Sequence, residues 1–205
     1  MSVTNFYFLI SDEIDSIMGG RSSDSETTDN NRNVTCELLN QLNEEGVFMI
    51  GATNTPWSID NAFLRRFHEM FHIKLPNYQA RLDILTHNIF NQSFYTNILK
   101  CDLEAVAEDT EGYSADDMSK IIANSQNKAI DRLHEARFFC QANNQKWFMC
   151  NPKLPGATRK SGKKLGSAVS QPILTLADLE HAVTDQKKTV NQVLLEKYKD
   201  FEEKH

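Results

Sequence analysis

The chain has 205 residues, of which 40% are hydrophobic and 24% charged, the composition of an ordinary globular protein of one or two domains. A formal net charge of −6 gives no electrostatic reason to expect nucleic acid or a stable membrane association. No apolar run approaches the roughly 20 residues needed to span a bilayer, and the N-terminus lacks a basic segment followed by a signal-like core. Cys36, Cys101, Cys140 and Cys150 lie far apart without the Cys-x-x-Cys spacing of a zinc site, which predicts free buried thiols in a reducing compartment.

In chain order, Phe8-Leu9-Ile10-Ser11-Asp12-Glu13 reads as a buried strand ending in adjacent carboxylates. Side chains alternate across a strand, so two carboxylates at its fraying end can serve two tasks from one place: Asp12 holding magnesium and Glu13 polarising an attacking water. An ordinary strand-to-turn carboxylate pair is the alternative. Residues 19–33, rich in Ser, Asp, Thr and Asn with only Arg21 and Arg32 as cations, read as a polar loop. Val47-Phe48-Met49-Ile50-Gly51-Ala52-Thr53-Asn54 is a second apolar run, expected as a buried parallel strand whose tip reaches a site. Asn54 is then either a neutral sensor of the terminal phosphate or a turn asparagine ahead of Pro56. Asp60 to Phe67 predicts a short helix ending in Arg65 and Arg66, followed by a third strand at Phe71-His72-Ile73-Lys74-Leu75 and a stop at Pro76. The arginines are either groups offered to a neighbouring subunit's phosphate or charges on a solvated helix end.

From Tyr78 the pattern turns helical. Leu82, Leu85 and Ile89 recur at helical spacing, and Ser114 with Asp117 predicts an N-cap for a helix carrying Met118, Ile121, Ile122 and Leu133. Thr175 with Asp178 repeats that logic before Leu179 and Val183. Between them, residues 151–171 hold prolines, glycines and lysines and read as a loop or short-strand insertion; their cations suit either solvent or an acidic partner. The last helix places Leu194, Tyr198 and Phe201 on one face. The six histidines form no ligand pattern and are assigned no metal.

These motifs, in this order and spacing, resemble the AAA family of ATPases. Asp12-Glu13-Ile14-Asp15-Ser16 is similar to the second Walker motif, although Ser11 stands where the family generally has an apolar residue. Gly51 to Trp57 resembles the sensor-one segment, Leu64-Arg65-Arg66-Phe67 the arginine-finger segment, and Thr110 to Met118 the start of the sensor-two helix, with Ala115 where the family usually carries glycine. Trp57 and the tail from Thr189 to Phe201 are similar to the meiotic clade. Ala136 to Phe139 with Cys150 to Ala157 resembles the insertion that separates that clade's vacuolar protein sorting branch from the microtubule-severing katanin and spastin.

The resemblance implies an α/β fold: part of an AAA parallel-sheet large domain over residues 1–77, then an all-α small domain over 78–205. The small domain would hold a short β insertion at about 138–171 and a C-terminal helix at 191–203. It implies ATP and Mg2+ as cofactors, with Asp12 as metal ligand. Asp12, Glu13, Asn54, Arg65 and Arg66 would be catalytic, and Gly112, Ala115 and Asp116 would lie at the nucleotide. Residues 19–33 would correspond to a pore-facing loop. The implied function is ATP-driven disassembly of ESCRT-III polymers by a homo-hexamer, with an activating cofactor docked on the insertion. The implied location is cytoplasmic, recruited to endosomal membranes, without direct membrane insertion or nucleic acid. The alternatives are a microtubule-severing ATPase or a catalytically dead interaction fragment.

No Gly-Lys-Ser or Gly-Lys-Thr phosphate loop occurs in the sequence. The expectation is therefore an N-terminally shortened family member whose phosphate loop and ESCRT-binding helices belong upstream. By analogy the sheet would have five parallel strands and lack the central one, leaving strand edges unpaired. The α/β portion is expected to be unstable in isolation.

Overall fold

Two parallel strands, β1 (Tyr7–Ser11) and β2 (Val47–Gly51), run in register with Tyr7 opposite Val47 and Ser11 opposite Gly51. The computed structural model describes residues 7–18, 37, 40, 46–90, 96–142 and 145–204; residues 19–33 lie outside these. The chain divides into two compact units, residues 1–73 with 196–205, and residues 74–195.

In the first unit the strands lead into short helices. α1 (Asp15–Met18) follows β1, and α2 (Asn61–Leu64) is capped by Asp60, whose carboxylate accepts from the Ala62 amide at 2.8 Å. Their apolar residues make a small core of Ile14, Met18, Ile59, Phe63 and Leu64, flanked by half-buried Met49, Phe67 and Phe201. The strands differ from expectation. Phe8 is 71% and Ile10 76% exposed, so β1 is not a buried strand; β2 covers alternate residues only, leaving Phe48 and Ile50 outward. A parallel strand is buried on both faces only where layers cover both, and among the described residues β1 and β2 pair only with each other. The third strand expected at Phe71–Leu75 is irregular, with Phe71 86% and Ile73 92% exposed. Alternation in sequence makes a strand only where a neighbour supplies ladder hydrogen bonds, and none does so among the described residues.

The second unit is helical. α3 (Tyr78–Phe90), α4 (Lys100–Asp109), α5 (Ala115–Glu135) and α7 (Leu176–Asp185) enclose a core that includes Leu85, Ile89, Leu103, Met118, Ile121 and Leu179. Buried Arg81 donates to the Ala107 carbonyl at 2.9 and 3.1 Å and to that of Pro76 at 3.0 Å, placing a cation where the carbonyl end of α4 is electronegative. Both expected caps are present as reciprocal boxes, Ser114 with Asp117 and Thr175 with Asp178. Asp117 is fully buried and also accepts from the Thr189 amide and hydroxyl at 3.3 and 3.0 Å. Burial pushes its carboxyl up, but the hydrogen bonds from Ser114 and Thr189 prevail and hold it below the usual range.

After α5, the strands β3 (Phe138–Gln141), β4 (Trp147–Met149) and β5 (Thr158–Arg159) form an antiparallel sheet in the order β4-β3-β5. It is followed by α6 (Gly162–Leu165). Cys140 in β3 and Cys150 just after β4 are half-buried and Cys101 on α4 is exposed, all three free, so these thiols are less enclosed than expected; Cys36 lies outside the described residues. α8 (Gln192–Glu202) ends the chain, its residues from Glu196 onward belonging to the first unit.

Among the described residues the first cluster holds five buried apolar residues and the second fifteen, which predicts that the units differ in resistance to opening. Hydrogen exchange read by mass spectrometry is expected to show stronger protection across residues 103–125 than across residues 47–64. Equal protection, with one sharp melting transition for the whole chain, would contradict this.

Candidate functional site

The ladder ends where β1 delivers Ser11 and β2 delivers Gly51, and the two segments stay stitched beyond it. The Ala52 amide donates to Ser11 at 2.9 Å and the Ile14 amide to Ala52 at 3.0 Å. Asp12, Glu13 and Asn54 therefore all follow the carboxyl ends of parallel strands, the edge where open α/β sheets commonly bind ligands. Gly51 suits this approach, since a Cβ there would stand 2.7 Å from the Ile14 Cδ1.

Asp12 and Glu13 are exposed. Glu13 has φ of 52°, a left-handed conformation uncommon for a residue with a side chain. Its amide donates to Asp12 Oδ1 at 2.9 Å, and its carbonyl accepts from the Ser16 amide and hydroxyl at 3.0 and 2.8 Å. The turn thus holds its unusual backbone by local bonds and leaves the Glu13 carboxylate without a hydrogen bond among the described residues.

A residue to which the sequence reading gave no role of its own organises the other side. Asp15 accepts from the Thr53 hydroxyl at 2.6 Å through Oδ1 and from the Thr55 hydroxyl at 2.9 Å through Oδ2. The Thr55 amide closes the loop onto the Thr53 hydroxyl at 3.0 Å. The bonds from Thr53, then Thr55, hold the Asp15 carboxyl below its ordinary range. Asn54 lies between the two threonines and is exposed. One carboxylate beside Asp12 and Glu13 therefore sets the turn that carries Asn54. The available signal was Thr-x-Thr around Asn54, two hydroxyls spaced to meet the two oxygens of one carboxylate.

Arg65 and Arg66 follow α2. Arg65 is exposed, whereas Arg66 folds back so that its guanidinium donates to the Ala62 carbonyl of its own helix. Its Nε is buried without a partner among the described residues. Neither arginine hydrogen-bonds Asp12, Glu13 or Asn54 among the described residues, so the two are presented differently, Arg65 outward and Arg66 retained.

In the second unit Gly112 has φ of 79°, a conformation that favours glycine. It lines an open cleft of about 570 Å³ with Pro76, Tyr78, Arg81 and Glu108. Ala115 opens α5, and Asp116 forms an exposed ion pair with Lys120 at 2.6 Å. Neither lines that cleft.

Magnesium takes oxygen ligands and keeps waters or substrate phosphates in its shell. Exposed Asp12 suits one such ligand. No group of three or more His, Cys, Asp or Glu among the described residues would hold a metal by itself. The donor set therefore fits a metal that arrives with phosphate oxygens better than a resident ion.

Residues 5–75 match the ATPase family associated with various cellular activities (AAA), and residues 147–205 match the Vps4 C terminal oligomerisation domain. The chain therefore carries an AAA ATPase segment and a C-terminal segment of the Vps4 type. It is 30% identical over 200 residues to Protein SUPPRESSOR OF K(+) TRANSPORT GROWTH DEFECT 1 of Arabidopsis thaliana, covering 93% of this chain and 45% of that protein. It is 29% identical over 210 residues to human vacuolar protein sorting-associated protein 4A, covering 94% and 47%. The crystal structure of the FIGL-1 AAA domain superposes with a TM-score of 0.72 at 22% identity, covering 96% of this chain and 56% of that one, which shows the AAA fold. The chain spans just under half the length of the curated relatives it matches.

In this AAA segment the Asp15 contacts join positions 38 and 40 residues apart. Substitution Asp15→Ala leaves two half-buried hydroxyls without their charged acceptor and is expected to destabilise the first unit by roughly 1–2 kcal/mol, measured by denaturant titration. A change below about 0.3 kcal/mol would mean that water replaces the carboxylate without loss.

Proposed function

We propose that this chain supplies the hydrolytic carboxylates, the sensor and the trans-acting arginine of a Vps4-type AAA ATPase that disassembles ESCRT-III polymers. The observation that carries this is the joined tip of β1 and β2, where Asp15 ties the Asp12-Glu13 turn to the Asn54 turn. Asp12 would ligate magnesium with ATP, which supplies electrostatic stabilisation of the phosphoryl oxygens when bound. Glu13, with its carboxylate exposed, would orient and accept a proton from the attacking water. Asn54 would hydrogen-bond that water or the terminal phosphate. Arg65, exposed at the end of α2, suits a role toward a neighbouring subunit's phosphate, with Arg66 supporting it from the helix end.

The assembly would be a homo-hexamer, supported by the Vps4 C terminal oligomerisation domain match, with ESCRT-III subunits as substrate and an activating cofactor on the three-stranded insertion. The working location would be cytoplasmic, at endosomal membranes reached through partners. Among the described residues no helix is long and apolar enough to cross a membrane. A second reading, an interaction module without catalysis, is favoured by one observation: Ser11 ends β1 where the family generally has an apolar residue.

Calorimetry of the purified chain with Mg-ATP, beside a form joined upstream to a relative's phosphate loop, separates the readings. ATPase function requires binding and turnover in the joined form, with Glu13→Gln retaining affinity within about threefold and losing hydrolysis by roughly 100-fold. Equal hydrolysis by Glu13→Gln would sink the role given to Glu13.

A further inference from the structure

We propose that Tyr198 is a positioning residue for the site, acting through the backbone of Asn54. The inference rests on the reading of Asn54 as the group that senses phosphate or water. α8 brings the Tyr198 hydroxyl to the Asn54 carbonyl, to which it donates at 2.6 Å. The opposite end of the same peptide unit is also bound, because the Thr55 amide donates to the Thr53 hydroxyl at 3.0 Å and that hydroxyl donates to Asp15 at 2.6 Å. Both polar atoms of the Asn54–Thr55 peptide are thereby pinned, one by Tyr198 and the other through Asp15. A pinned peptide plane fixes ψ of Asn54 and, with it, where an exposed side chain can reach.

The tyrosine is itself held. Its ring stacks on His72 with centroids 5.3 Å apart and 23° between planes, and meets the edge of Trp57 at 5.2 Å and 61°. His72 Nδ1 lies 3.4 Å from Glu202 on the next turn of α8, and the Lys197 ammonium sits 5.5 Å from the Trp57 ring centroid. Phe201, three residues on, packs against the core of Ile59 and Phe63. Trp57 belongs to the short turn Pro56–Ser58 that directly follows the Asn54 segment. α8 thus grips the segment from Asn54 to Trp57 at its carbonyl and at its ring. A purely structural tyrosine would need the ring alone, and the phenol oxygen is the part aimed at Asn54.

Loss of that oxygen exposes a carbonyl that solvent can reach, so stability should change little while the freedom of Asn54 increases. Tyr198→Phe keeps the ring and removes the bond. In the 205-residue chain the melting temperature is expected to stay within about 3 °C, while exchange of the Thr55 amide, followed by NMR, accelerates roughly 5- to 10-fold. Unchanged Thr55 exchange would overturn the proposal. In a form that hydrolyses Mg-ATP and is silenced by Glu13→Gln, Tyr198→Phe should lower kcat about tenfold with KM within about twofold; an unchanged kcat there also overturns it. Hydrolysis that survives Glu13→Gln would instead defeat the reading of the site, and the exchange measurement would still decide whether Tyr198 sets the Asn54 backbone.

Discussion

One carboxylate accepting two hydroxyls is the constraint on which the first unit's arrangement depends. Asp15 receives Thr53 on one oxygen and Thr55 on the other, and this fixes the relation between two segments that are also joined, among the described residues, by a two-stranded ladder, a few backbone bonds and a small apolar core. A bidentate acceptor is well suited to this because it restrains orientation as well as distance. With the turn after β2 held to the turn after β1, Glu13 and Asn54 become parts of one edge. The left-handed backbone at Glu13 belongs to the same economy of geometry: a strained residue persists where its neighbours over-determine it, and here Ser16 and Asp12 do so.

What could be read from sequence divides along the range of the interactions. Ser114 with Asp117 and Thr175 with Asp178 were legible because a capping box is complete within four residues. Leu82, Leu85 and Ile89 were legible because helical spacing repeats locally. The tip residues were legible as motifs. Asp15 stood inside the quoted motif, yet its partners lie 38 and 40 residues on, and no local pattern pairs them. The tyrosine stripe of α8 announced a packing face, but the hydrogen bond from Tyr198 to Asn54 spans 144 residues. Phe71 to Leu75 failed in the opposite way: its local pattern is that of a strand, and strand formation is a property of the pair.

α4 shows a milder form of the same limit. It begins after Leu99, a residue with no side-chain acceptor, and its start is secured when Asp102 accepts from the Leu99 amide at 2.8 Å. The usual Ser, Thr, Asp or Asn at the cap position is missing, so the helix carries little start signal. It is stabilised instead by burying Leu103, Val106 and Ala107. The two units also differ in what their apolar residues achieve. In the second, most large aliphatic side chains on the helices reach the core. In the first, Tyr7, Phe8, Ile10, Phe48 and Ile50 remain on the strand faces, and much of the order near the candidate site must come from polar bonds.

The central claim is therefore that the Asp15 carboxylate is ionised and engaged by both threonines. Its titration, followed through the carboxyl carbon in NMR, tests this most directly. Hydrogen bonds to the charged form lower the folded-state value, so the contribution to stability is present above the unfolded aspartate's range near 3.9 and is lost as pH falls through the folded value. The account predicts a midpoint below that of an ordinary aspartate, shifting back upward when Thr53 and Thr55 are replaced by valine. A midpoint at or above the ordinary value, indifferent to those replacements, would contradict it.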